Sequence, residues 1–215
     1  MTEPEVLKKS LVNVLKWVSS FASAGAVNPL FSVAASLIKV VETSVDDKCF
    51  KNLEREFEDL NKAINVILDQ KIQILLNIKK TEVDAQYTNI EEYLRSQFSS
   101  YLKIVKAKPE HLQSKKDDFI SRYEFGEIDQ KINNLYDLLV GNRKLFSKTI
   151  QGYSDHSKGN KEVMKNLYIR LAYLFSIGCI TTMTYYEFKN DHMKNRKEDW
   201  EKKIHDVKEA VDKWI

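Results

Sequence analysis

Leu7, Leu11, Val14, Leu15 and Val18 recur at helical spacing, with Lys8, Lys9 and Lys16 clear of most of that stripe, so the chain opens as an amphipathic helix. Thr2 can cap it, with Pro4 in the tolerated first turn and Glu5 completing a capping box. This helix runs into a stretch without any charged side chain, from Val18 to Ile38. Asn28-Pro29 breaks the hydrogen bonding there, and a second short helix is predicted from about Leu30 to Val41.

Helical signal returns after Asp46-Asp47 and runs to about Ala107 without a Gly or Pro. Leu53, Phe57, Leu60, Ile64 and Ile67 step by four and three, a heptad seam that slips at Lys71. Val83, Tyr87, Ile90, Leu94, Phe98, Tyr101 and Val105 resume it, with a stutter between Leu94 and Phe98. The pattern permits one long bent helix of about 90 Å, or two helices meeting near Lys79 to Asp84, where Thr81 can cap a new start.

Pro109 marks the next boundary. Helices are predicted at about 110–123, ending near Gly126, then at 128–140 and 143–153, separated by Gly141-Asn142 and stopped by GYSDHSKGN. A further helix spans about 161–189. The last, about 191–215, places Met193, Trp200, Ile204, Val207, Val211 and Trp214 on one face amid dense charge. That heptad face suits packing against a long helix of this chain or of another.

Only 6 Gly and 3 Pro punctuate the 215 residues, too few for an all-β protein or for an enzyme built from many βα loops. Hydrophobic residues make up 43%, enough to fill a core. The 34 basic and 31 acidic side chains are interspersed, so a net charge of +3 supplies no strong field for nucleic acid or anionic lipid. Acids and lysines at the N-terminus replace the apolar run of a secretory signal, and Cys49 and Cys179 form no CxxC, which together imply a reduced, cytoplasmic protein.

Chemistry-bearing constellations are not found. His111, His156, His192 and His205 form no ligand pair, GYSDHSKGNK departs from a phosphate loop in glycine spacing, and the consecutive Ser154, Asp155 and His156 are no triad. No catalytic, cofactor-binding or metal-binding residue is therefore named, no cofactor or small-molecule substrate is expected, and the chain is expected not to be an enzyme.

Two charge-poor segments carry the functional question. In SFASAGAVNPLFSVAASLI, residues 20–38, Phe21, Val27, Pro29, Leu30, Phe31, Val33 and Leu37 are the candidate membrane or interaction hairpin. Three readings stay open: a central layer of the bundle, a hairpin that leaves the bundle for a membrane, and a constitutive membrane segment. LAYLFSIGCITTMTYY, residues 171–186, is shorter than the roughly twenty residues a span needs. Within it Phe175, Gly178 and Thr182 are candidate close-packing positions for another helix. Trp200, Ile204, Val207 and Val211 form a candidate oligomer seam.

AVNPLFSVAASLIKVV at 26–41, YTNIEEYLRSQFSSYLKIVKAKPEHLQSKKDDFISRYE at 87–124, LYDLLVGNRKLFS at 135–147 and HSKGNKEVMKNLYIRLAYLFSIGCI at 156–180 closely resemble the Rapunzel proteins of bony fishes. The resemblance covers nearly the whole chain and is weakest in the first dozen residues and after about 187. It implies an intracellular helical protein of a group associated with fin and skeletal development, with no catalytic residues to carry over. The layout is also remotely similar to that of helical pore-forming toxins, in which very long helices lie beside a short uncharged hairpin.

The expected architecture is an all-α, elongated bundle in one domain, 1–215. Residues 46–107 form its spine as one very long helix or a helix pair, and residues 18–41 and 161–187 its most apolar layer. The leading expectation is a non-enzymatic interaction protein with a protein partner or a homo-oligomeric state. The alternative is conditional membrane insertion by 18–41.

Overall fold

A computed structural model describes residues 82–141, 160–189 and 193–213, together with Glu58, Asp59, Lys62 and Val66. The hairpin 18–41 and the predicted helix 143–153 lie outside the described residues. Among the described residues there is no strand, and the regular structure consists of five α-helices and one 3-10 turn. They are α1 (Glu82–Val105), the 3-10 turn Pro109–His111, α2 (Leu112–Phe125), α3 (Ile128–Val140), α4 (Lys161–Phe188) and α5 (Met193–Asp212).

The ends of these helices follow local chemistry. Pro109 has no N–H to lose at the start of a helix, so it opens the 3-10 turn that feeds α2. Gly141 closes α3 with φ 73°, the left-handed conformation in which a Cβ is costly, and its N–H donates to the Asp137 carbonyl at 3.0 Å. Asn160 caps α4, its side-chain oxygen accepting from the N–H groups of Glu162 and Val163 at 3.1 and 3.3 Å.

The junction of α2 and α3 differs from the simple glycine-cap expectation. Gly126 has φ −77°, and the left-handed residue is Glu127, at φ 49°. The glycine serves close approach instead: a Cβ there would sit 2.9 Å from the Arg122 carbonyl oxygen and 3.0 Å from the Tyr93 ring.

One contact among the described residues bears on the expected spine. Glu58 Oε1 and Lys106 Nζ pair at 2.8 Å across 48 positions of sequence. An unbroken helix would hold them about 72 Å apart at 1.5 Å per residue, so 46–107 is not one rod.

The centre of the bundle is α4. Tyr87 and Glu91 of α1 meet Arg170, and Leu94 lies beside Gly178, so α1 and α4 run in the same direction. The other helices oppose α4: Phe119 of α2 meets Phe188, Tyr136 of α3 meets Phe175, and Trp200 of α5 meets Phe175. Leu94, Tyr101, Phe119, Ile132, Leu135, Leu174 and Ile177 are wholly enclosed in the resulting core.

Candidate functional site: a sheathed apolar helix

Every residue of α4 from Arg170 to Thr184 is buried. A surface helix buries one stripe; a helix buried over four consecutive turns is covered on every side. Among the described residues α4 is the one helix long and apolar enough to cross a membrane, and 94% of its most apolar 18-residue window is enclosed by the chain itself.

Close packing at its middle depends on Gly178. A Cβ placed there would stand 2.7 Å from Ile132 Cδ1 and 3.3 Å from Leu94 Cδ2, both side chains enclosed with little room to yield. Phe175 packs between Tyr136 and Trp200, at ring-centroid distances of 6.3 and 6.4 Å. Thr182 faces Tyr123. The three close-packing candidates Phe175, Gly178 and Thr182 therefore lie at three different helix contacts of α4, with α3 and α5, with α1 and α3, and with α2.

Polar atoms on α4 fall into two sets. Ser176 donates to the Ala172 carbonyl at 2.8 Å, Thr181 to Gly178 at 3.0 Å and Thr184 to Ile180 at 2.8 Å, so these three hydroxyls are satisfied by their own helix. The second set reaches neighbouring helices. Arg170, itself buried, donates from Nη2 to the carboxylate of the partly buried Glu91 and from Nε to the Tyr87 hydroxyl at 2.8 Å. Glu91 also pairs with Arg95 at 3.3 Å.

A second polar centre lies towards the other end of the apolar run. The Tyr123 hydroxyl is 2.9 Å from Asp129 Oδ1 and 3.0 Å from Thr182 Oγ1. A carboxylate only accepts, so the single Tyr123 proton goes to Asp129 and the Thr182 hydroxyl donates to Tyr123. Tyr186 also donates to Asp129, at 2.6 Å, and accepts from Arg196 of α5 at 2.8 Å. Burial, followed by the charge of Asp129, pushes the Tyr123 phenol well above the ordinary tyrosine range. Burial, followed by Glu91, does the same to Tyr87. Both phenols stay protonated at neutral pH and act as donors.

Next to this centre the surface is wet. Glu124 accepts from Lys189 at 3.0 Å and from the Tyr185 hydroxyl at 2.9 Å. These two bonds, Lys189 first, hold its carboxyl below the usual glutamate range. Phe125, the next residue, is 86% exposed.

The candidate seam Trp200, Ile204, Val207 and Val211 is buried inside the chain, where α5 packs on α3 and α4. Lys203 reaches Asn133 at 3.0 Å and Tyr136 donates to Asp206 at 2.7 Å, fixing α5 along α3. Its face is spent on intramolecular packing and does not offer an exposed oligomer seam. Met193 and Trp214 of the same predicted face lie outside what is described of side chains.

Phe21, Val27, Pro29, Leu30, Phe31, Val33 and Leu37 lie outside the described residues. His111 and His205 are exposed, and no group of three His, Cys, Asp or Glu able to hold a metal occurs among the described residues. Cys179, near the middle of α4, is a free thiol and buried.

Two features had escaped the sequence reading. Arg170 borders the apolar run 171–186 in sequence, and its contact with a carboxylate 79 positions away leaves no local trace. The only available signal was that Arg170 sits directly beside Leu171 with Ile169 before it, a charge set inside an apolar neighbourhood. Likewise, Tyr123, Asp129 and Tyr186 converge through tertiary packing from three helices.

Known proteins can be set beside this geometry. The family model of the cephalotoxin-like middle helical domain matches residues 44–215. The protein rapunzel of zebrafish is 47% identical over 211 residues, covering 97% of this chain and 93% of that protein. No solved structure matches.

Proposed function

This chain belongs to the Rapunzel family and carries a cephalotoxin-like middle helical domain, and from that premise we propose that it is a non-enzymatic, cytoplasmic interaction protein. It engages a protein partner through outward helix surfaces, in the setting of fin and skeletal development that the Rapunzel resemblance implies. The observation that supports this reading is Phe125. Among the described residues the exposed large apolar side chains are Val66, at 64%, and Phe125, at 86%, and it is Phe125 that stands on a junction described on both sides, between α2 and α3. The junction holds it firmly: Gly126 is pressed against α1, and Lys131 Nζ donates to the Gly126 carbonyl at 2.7 Å. A rigidly presented aromatic ring with two side-chain torsions loses little entropy when a partner covers it.

Quantitative affinity capture from cells, with membrane and soluble fractions kept apart, compares the native chain with Phe125→Ala. Proteins enriched by the native chain are expected to fall several-fold with the variant, while its melting temperature stays within about 2 °C because the lost side chain is exposed. An identical set of captured proteins from both chains would remove Phe125 from the reading, and no specific enrichment at all would remove the reading itself.

A second reading, conditional membrane insertion, is supported by the sheathed α4 and by the toxin-related name of the matched domain. Vesicle flotation and dye leakage with the native chain and with a Val27→Asp/Phe31→Asp variant test it. Absence of both flotation and leakage for the native chain, at neutral and acidic pH, would sink it.

A further inference from the structure

We propose that the element of this chain that exchanges protein contacts for lipid is α4, through Leu171–Tyr186, rather than the hairpin 18–41; this rests on the membrane reading above and names its agent. Lipid makes two demands on a helix, and α4 goes most of the way to both before leaving the bundle. The first is an apolar surface all round. Residues Arg170 to Thr184 are buried against neighbours on every side, and from Leu171 to Thr184 the polar side chains are limited to the Tyr173 phenol and the short hydroxyls of Ser176, Thr181, Thr182 and Thr184.

The second is internal satisfaction of polar groups, because hydrocarbon supplies no partners. Ser176, Thr181 and Thr184 already donate to carbonyls of their own helix and would carry those bonds with them. The uncharged run of sixteen residues is about 24 Å long, somewhat under the hydrocarbon thickness of about 30 Å. Its ends suit the two interfaces: Arg170 has a stem long enough to carry its guanidinium to the headgroups, Tyr185 and Tyr186, the last residues of the run, bring aromatic rings suited to the opposite side, and local thinning of the bilayer takes up the remaining mismatch.

What must be given up is equally specific. Arg170 leaves Glu91 and Tyr87, Thr182 leaves Tyr123, and Tyr186 leaves Asp129. The partners left behind sit on α1, α2 and α3, which can turn their emptied apolar faces to the membrane surface. In the sequence of 18–41, by contrast, Asn28-Pro29 leaves uncharged runs of about ten residues on either side, each shorter than a span needs.

The test uses the full chain without substitutions. It is mixed with vesicles of phosphatidylcholine and phosphatidylserine doped with a carbene-generating phospholipid, at neutral and acidic pH. After irradiation, flotation isolates bound protein and peptide mass spectrometry maps the lipid adducts. Adducts are expected in the peptide covering Leu171–Tyr186, several-fold above those in α3 of the same sample. Bound protein with adducts confined to 18–41, or to the outer faces of α1 and α5, overturns the assignment to α4 while the membrane reading survives. Protein that neither floats nor acquires adducts at either pH overturns both.

Discussion

α4 and α5 lie side by side in opposite directions, yet they are built on contrary plans. α5 buries a stripe, Trp200, Ile204, Val207 and Val211, and leaves its other faces to solvent, where Lys203 pairs with Asp199 at 2.8 Å and His205 with Glu209 at 3.3 Å. α4 has no solvent face for four turns, and the charged residue at the edge of that stretch, Arg170, is paired with the partly buried carboxylate of Glu91. The difference teaches where the stability of the bundle is concentrated. Charge on α5 is a surface matter worth little per pair, whereas the charge on α4 is bound to the core and cannot lose its partner without exposing the other.

The widest separation between the two plans comes from breaking the buried pair. Arg170→Ala leaves Tyr87 without this donor and Glu91 with Arg95 as its remaining partner, and is expected to cost about 1.5–3 kcal/mol in urea unfolding. Arg170→Met with Glu91→Leu, which removes both charges together, is expected to recover most of that loss. If the single variant cost no more than an α5 surface pair, the contrast would fail.

Gly178→Ala comes next. Its Cβ meets Ile132 and Leu94 in a filled interior, so overpacking of about 1–3 kcal/mol is expected in the same assay. A neutral result would mean that α4 sits more loosely in its sheath than the contacts describe.

On α5, Ile204→Val removes one methylene from a buried stripe and is expected to cost about 0.5–1.5 kcal/mol, with no change in oligomeric state by light scattering. A change of state would restore the seam to an intermolecular role.

The smallest effect belongs to the wet pair beside α4. Glu124 is held below its ordinary range by Lys189 and Tyr185, so its contribution is present above the unfolded glutamate value, about 4.3, and fades as pH falls through the lower folded value. NMR titration should show this depressed midpoint, rising in Lys189→Ala, while melting temperature at neutral pH barely moves because the pair is exposed.

How much of this was legible beforehand depended on the range of the interaction. The predicted bounds 128–140 coincide with α3, and the predicted 161–189 differs from α4 by one residue, because Gly141 and Asn160 act on the backbone within a few positions of themselves. The seam of α5 was readable as a buried stripe, but periodicity records that a face is covered and not by what. Its cover is α3 and α4 of the same chain. Pairings across long separations, Glu58 with Lys106 or Arg170 with Glu91, leave no periodic trace, and charged residues read by default as solvated. At the α2–α3 junction a glycine stood where a left-handed cap was natural, and Glu127 took that conformation because Gly126 was needed for contact.

Cys179 turns the enclosure of α4 into a clock. The thiol sits 1% exposed near the midpoint of that helix, so a water-soluble alkylating reagent reaches it only when the surrounding helices part. With Cys49 replaced by serine, the rate at which the chain gains one alkyl adduct, followed by mass at rising reagent concentration, climbs to a plateau equal to the opening rate of the bundle. One native side chain thereby reports how often the interior is visited by solvent, and how long the molecule stays shut between visits.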